Sequence, residues 1–231
     1  MRPQLTWRAA RAAAALCALL LAAGISGRIA SASTSTSSRA GRSARHEHQR
    51  AVPSRLRALL LHPNVLIGQD VALVGIASPG RGRRTVAVQA RQGKRWVAVA
   101  RAHTNRRGVF VERFWPRRLG RLQLRLLASG ISAHHMRLSG EVATVYHEVI
   151  ASWYGPGGVT ACGEQLGAAT QGVANKTLPC GTLVTLRYRG HTVRVPVIDR
   201  GPFVPGRDYD LTYATRLALG AGDVSEIWAS A

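Results

Sequence analysis

The chain has 231 residues, of which 32 are Lys or Arg and 11 are Asp or Glu, giving a formal charge of +21. A hydrophobic content of 46% excludes a chain that is disordered throughout, and the length allows one medium domain or two small ones. The basic residues are nearly all arginine (Lys94 and Lys176 are the two lysines) and run along the whole chain without an aromatic-rich RNA-binding signature, so nucleic acid is not an expected partner. An anionic cell-wall polymer is compatible with the charge.

Arg2, Arg8 and Arg11 precede the apolar run AAAALCALLLAAG, and Ala30 and Ala32 then offer an A-x-A cleavage pattern before Ser33. This order predicts a secretory signal peptide over residues 1–32. The run is short for the alternative, an uncleaved anchor. Cys17 follows Leu16, where a lipidation signal would want a small residue. Removal of the signal leaves Cys162 and Cys180, most simply one disulfide in an exported protein. The expected place of action is secreted or in the cell envelope, with no stable membrane span after cleavage.

Residues 33–52 begin STSTSSRAGRSARHEHQR, lack apolar periodicity and read as a disordered tether. His46 and His48 flank Glu47 there. Imidazoles in an unstructured tether are ordinarily solvated, so no metal site is expected.

Over residues 53–147 the runs VALVG (71–75), TVAVQAR (85–91), RWVAVAR (95–101), VFVERF (109–114) and LQLRLLA (122–128) are of strand length and mostly alternate. Turn signals such as Ser78-Pro79-Gly80, Gln92-Gly93-Lys94 and Asn105-Arg106-Arg107-Gly108 separate them. Five or more strands at this spacing, without a convincing amphipathic helix, predict an all-β sandwich. The order of a G-x-x-W strand and a T-x-x-x-G-x-F strand loosely resembles immunoglobulin-like modules of bacterial secreted proteins. Trp96, Phe110 and Phe114 are of a kind that can stack on glycan, but aromatics in such strands are usually core, and core is the expectation. The stretch holds no acid pair or nucleophile constellation and reads as a spacer or targeting module.

From residue 148 onward, Val149-Ile150-Ala151 runs into Trp153-Tyr154 and a glycine turn. TLVTLRYRG and HTVRVPVID are two strands joined around Gly190. In DLTYATRLALG a short helix is expected, with Asp210 or Thr212 as cap, Gly220 at its end, and Leu211, Ala214, Thr215 and Ala218 on one face. SEIWA is a last strand. The predicted architecture over 148–231 is a small all-β barrel with one helix.

Of the carboxylates here, two sit in stretches built around them. Glu164 lies in the glycine-bordered loop GVTACGEQLG, and Asp199 ends the strand VRVPVI just before the rigid turn RGPF. A carboxylate where a strand gives way to a Gly-Pro turn has the stiff support that general acid/base work needs. The alternative is a structural Asp accepting backbone N–H bonds in its own turn.

The segments ASWYGPG, TACGE, GVANKTLPCGTLV, VPVIDRGPFVPGRDYDLT and ATRLALG, in this order and spacing, resemble the rare lipoprotein A (RlpA-like) family over about Val149 to Trp228. The resemblance implies a six-stranded double-psi β-barrel, shared with expansins and barwin-type proteins, and an envelope protein acting on peptidoglycan glycan strands as a lytic transglycosylase. It implies Asp199 as general acid/base assisted by Glu164. Tyr154, Asn175, Arg200 and Phe203 would bind substrate along the groove, and Asp210 would serve the helix cap. The family usually has His where this chain has Asn175, which can donate a hydrogen bond but cannot carry a proton. Cys162 and Cys180 fall at variable positions that the resemblance places close together, so that a disulfide would pin the Glu164 loop. No cofactor is implied. The alternative functions are an expansin-like module that holds glycan without cutting it and an envelope scaffold working through the sandwich.

Overall fold

The computed structural model describes residues 54–80 and 82–231. The expected signal peptide, the tether and the His46-Glu47-His48 cluster lie outside the described residues.

The regular structure of the described residues is almost wholly β, with one short α-helix. Strands β1 (Arg55–Leu60), β3 (Val71–Ser78), β6 (Val109–Phe114) and β8 (Met136–Ser139) pair in the order β6-β3-β1-β8. Strands β4 (Thr85–Gln92), β5 (Arg95–His103), β7 (Gly120–Ala128) and β9 (Val142–Tyr154) pair in the order β5-β4-β7-β9, and the short β2 (Asn64–Leu66) adds to β9. In β1 every second residue is buried, so one face of the strand is apolar and turns inward. The two sheets share one core, to which Leu56, Leu73, Phe110 and Phe114 contribute from the first and Val86, Val88, Leu124 and Val145 from the second. Phe110 and Phe114 are therefore core, as expected. Trp96 is not: it is half-buried on β5, with the Arg125 guanidinium 4.3 Å above its ring. Strand β5 ends its sheet, so residues there have a partner strand on one side alone.

The sequence division between 147 and 148 falls inside β9, which runs unbroken for 13 residues. Its first part pairs β7 and β2; its second part pairs β14 (Ser225–Ala229) and β13 (Tyr209–Thr212). From there β13 pairs β10 (Val173–Ala174), β10 pairs β12 (His191–Asp199), β12 pairs β11 (Leu183–Tyr188), and β11 pairs β14, so the hydrogen bonding returns to β9 and closes a ring. Closure removes free sheet edges. Val149, Ala151, Val173, Val184, Leu186, Val195, Val197, Leu211 and Ile227 fill the interior.

Helix α1 (Tyr213–Leu219) leans on the ring. Thr212, not Asp210, is its cap: the Thr212 side chain accepts from Thr215 N–H, and Gly220, in the left-handed region, ends the helix. The face it buries is Thr215 and Leu219, because the helix begins at Tyr213 and leaves Leu211 in β13. Thr215 and Thr212 also reach across to Gly172, whose N–H donates to Thr215 Oγ1 at 2.9 Å. A side chain at Gly172 would meet Ile198 at 2.5 Å, so the close approach of this loop to β12 requires glycine. Trp153 is tied to the helix side by its indole N–H on Asp223 (3.0 Å) and by the Arg216 guanidinium 4.6 Å from its ring.

Candidate functional site

At the end of β12 the chain turns through Arg200, Gly201, Pro202 and Phe203, where the Gly201–Pro202 peptide is cis. Asp199 Oδ1 accepts from the N–H of Arg200 at 2.8 Å and from the N–H of Ala161 at 2.8 Å. Its carbonyl oxygen accepts from Asn175 N–H at 3.1 Å. Three segments distant in sequence thus meet at one residue. Two main-chain N–H bonds on Oδ1 fix the orientation of the carboxyl group.

Ala161 belongs to a hairpin bridged at Val159 and Gln165. Within it Thr160 N–H donates to the Glu164 carbonyl (2.9 Å) and Glu164 N–H to Thr160 Oγ1 (3.0 Å). The hairpin is held to β12 by Cys162 N–H on the Ile198 carbonyl and by a disulfide from Cys162 to Cys180, with Cα atoms 5.8 Å apart. The expected cysteine pairing is present.

On β9 and β13 the core residues Ala151, Trp153, Tyr209 and Leu211 alternate with Ser152, Tyr154 and Asp210. Side chains alternate across a strand, so the latter three share the outer face of the ring. Asp210 is the register partner of both Ser152 and Ala174, and Ala174 is that of Asp199. The Ser152 and Tyr154 hydroxyls and Asp210 Oδ1 are buried and have no hydrogen-bond partner in the protein. Burial foremost, and then the Asp199 charge, hold the Asp210 carboxyl above the usual carboxylate range. Arg207 and the nearby Ser152 hydroxyl oppose this; the hydroxyl lies close to the carboxyl without the geometry of a full hydrogen bond. Burial, then Asp199 and Asp210, raise the Tyr154 phenol. Asp199, Asp210 and Tyr154 therefore form one electrostatic neighbourhood.

The other sequence-predicted residues divide. Glu164 is exposed, and its charge is not among those acting on Tyr154 or Asp210. Phe203 is 81% exposed just beyond the Asp199 turn, which suits stacking on a ligand better than packing. Arg200 does not face outward as a free cation. Its guanidinium donates to the carbonyls of Asn175 (3.2 Å) and Leu178 (2.8 Å) and to Cys180 Sγ (3.2 Å). Asn175 is likewise committed: Oδ1 accepts from the N–H groups of Thr177 and Leu178, and Nδ2 donates to the Asp208 carbonyl. Asp210 and Ser152 were missed as site residues. The alternation of SWY with buried neighbours was a signal for Ser152, but its meeting with Asp210 depends on the parallel pairing of β9 and β13. Among the described residues no group of three or more His, Cys, Asp or Glu is placed to hold a metal ion.

Residues 146–224 match the family model described as lytic transglycolase. Over 76 residues the chain is 45% identical to the probable endolytic peptidoglycan transglycosylase RlpA of Synechocystis sp., covering 31% of this chain and 24% of that protein. It is 43% identical over 75 residues to the Aquifex aeolicus protein of the same description, covering 30% and 33%. With the endolytic peptidoglycan transglycosylase RlpA of Vibrio cholerae the identity is 41% over 75 residues, covering 30% and 28%. The chain spans from 24% to 33% of the length of these relatives. Among solved structures, Streptomyces papain inhibitor (SPI) is similar at 26% identity, covering 37% of this chain and 92% of that one, with a TM-score of 0.32.

Proposed function

We propose that the chain is an exported peptidoglycan-active protein whose closed ring, read as a double-psi β-barrel, is a lytic transglycosylase, carried by an immunoglobulin-like module over 53–147. The reading rests on one observation above the others. Asp199 ends β12 with Oδ1 fixed by two main-chain N–H groups from separate loops, near a second carboxyl, Asp210, that burial biases toward its neutral form. The similarity of residues 146–224 to peptidoglycan transglycosylases supports the substrate class.

In the proposed reaction a glycan strand lies across the outer face of β9 and β13, with Phe203 against a sugar ring. Asp199 gives its proton to the glycosidic oxygen between N-acetylmuramic acid and N-acetylglucosamine, and the C1–O bond breaks. The C6 hydroxyl of the muramic residue bonds to C1, and its proton passes to Asp199. The proton count is restored, the product carries a 1,6-anhydro end, and no water enters. One carboxyl performs both transfers, so the spacing of a hydrolase acid pair is not required. Asp210 and Tyr154 are positioning residues beside Asp199: burial biases Asp210 toward its neutral form, in which its carboxyl can donate a hydrogen bond to the bound glycan. Glu164 acts at the groove rim, on the disulfide-held hairpin.

Incubation of sacculi with the chain and with its Asp199→Asn variant tests this. The unmutated protein is expected to release 1,6-anhydro muropeptides, detected by mass spectrometry, and the variant to release none. A second reading, glycan binding without cleavage, is favoured by Asn175, whose amide is spent on its own turn and on the Asp208 carbonyl and carries no charge or titratable proton. Sacculus binding by both proteins without products would establish that reading.

A further inference from the structure

We propose a second saccharide-binding site, outside the ring, in the cleft between the β2 loop and the end of β6. The cleft has a volume of about 360 Å³ and is lined by His62, Asn64, Val65, Gly68, Gln69, Asp70 and Trp115. Trp115 is 60% exposed. Its position follows from the ladder: Val71 pairs Phe114, and both are buried. The next residues outward, Asp70 and Trp115, therefore turn to the opposite face. Pro116 follows Trp115 and is itself buried, restricting the backbone that carries the indole.

The polar groups are already oriented. Asn64 Oδ1 accepts from Tyr146 OH at 3.0 Å, and Gln69 Oε1 accepts from Leu66 N–H at 3.0 Å. Each amide is thus held by its oxygen, and its NH₂ group is the donor left for a ligand. Asp70 is paired with Arg113, 3.5 Å away, and remains an acceptor. A flat aromatic face beside fixed amide donors and a carboxylate matches a neutral pyranose: its C–H face packs on the electron-rich ring while its hydroxyl and acetamido groups meet the polar rim. The carboxylate on the wall of the cleft disfavours an anionic polymer. That the sugar is an N-acetylhexosamine rests on the peptidoglycan reading of the ring; the geometry alone requires a neutral saccharide. Such a site would hold a strand independently of the residues that cut it, and so raise the effective concentration of glycan at the ring.

The test is an NMR titration of the ¹⁵N-labelled full chain with N-acetylglucosamine tetrasaccharide, with the Trp115 indole resonance identified by Trp115→Phe. That resonance is expected to shift saturably, and Trp115→Ala to weaken binding ~10-fold or more, the loss of one stacked aromatic. The Trp115 shift itself should not depend on the ring's carboxylates. A Trp115 resonance that stays put at saturating sugar overturns the proposal. So does a Trp115→Ala variant of unchanged melting temperature that binds as well as the parent, or a shift produced by poly(glycerol phosphate) and not by the sugar. A Trp115 shift without 1,6-anhydro products keeps this site and removes the enzymatic reading; products without a shift do the reverse.

Discussion

Ala161 N–H donates to Asp199 Oδ1 at 2.8 Å, so the hairpin that carries Glu164 also fixes the carboxylate at the end of β12. The same hairpin is tied to β12 by the Cys162 N–H bond and, through the disulfide, to the segment that leads into β11. The stiffness of a loop with little apolar surface thus comes from a covalent link and a few main-chain bonds, and it converges on the residue proposed to do the chemistry.

Removing the disulfide, as Cys162→Ser with Cys180→Ser, is expected to lower stability by about 3 kcal/mol, the loop-closure value for a span of this size. Release of anhydro product should fall further than the stability loss explains when assayed well below the melting temperature. Denaturant unfolding and product release on the same preparation check both; equal turnover by the reduced-loop variant would separate the hairpin from Asp199.

Tyr154→Phe removes a buried hydroxyl that has no protein partner. Loss of an unsatisfied polar atom should leave the melting temperature unchanged or raise it. Turnover should fall, since the hydroxyl lies in the neighbourhood of Asp199 and Asp210. A clear drop in melting temperature would mean that the hydroxyl is structural.

Asp210 gives a pH signature of known sign. Its folded-state pKa is raised, so the folded protein binds its proton more tightly than the unfolded chain does. The associated stability is present below the unfolded carboxylate range and is lost as pH rises through the folded value. Asp210→Asn escapes that loss. Its melting temperature relative to the parent should therefore be higher at pH 8 than at pH 4, and the reverse order would contradict the assigned burial.

Gly172→Ala places a Cβ 2.5 Å from Ile198 and presses on the loop that Thr215 secures. Overpacking of this kind is expected to destabilise by about 1–3 kcal/mol, measured by urea unfolding. A neutral result would show that the loop can move away from β12 without loss.

What could be read from the sequence followed the local patterns. Alternation and turn residues located β6 and β14, and Gly190 located the β11–β12 hairpin, because two-residue periodicity and a turn residue act within a few positions. Strand β10 escaped because Val173–Ala174 is a strand only through β12 and β13 on either side of it. Asp210 was read as a cap because Asp and Thr before a helix satisfy the same pattern. Its true environment comes from Ser152, brought alongside by a parallel pairing between distant segments. The linked motifs pointed to the cysteine pair, which is present, and to the Asp199 proposal, while the commitment of the Arg200 and Asn175 side chains to main-chain groups around them is a matter of rotamer and reach that spacing does not encode.

The most direct test of the central claim is digestion of sacculi by the chain in H₂¹⁸O, with mass spectrometry of the new glycan ends. Intramolecular attack by the muramic C6 hydroxyl predicts 1,6-anhydro ends free of ¹⁸O. Reducing ends carrying ¹⁸O would show that water is the nucleophile and would contradict the account.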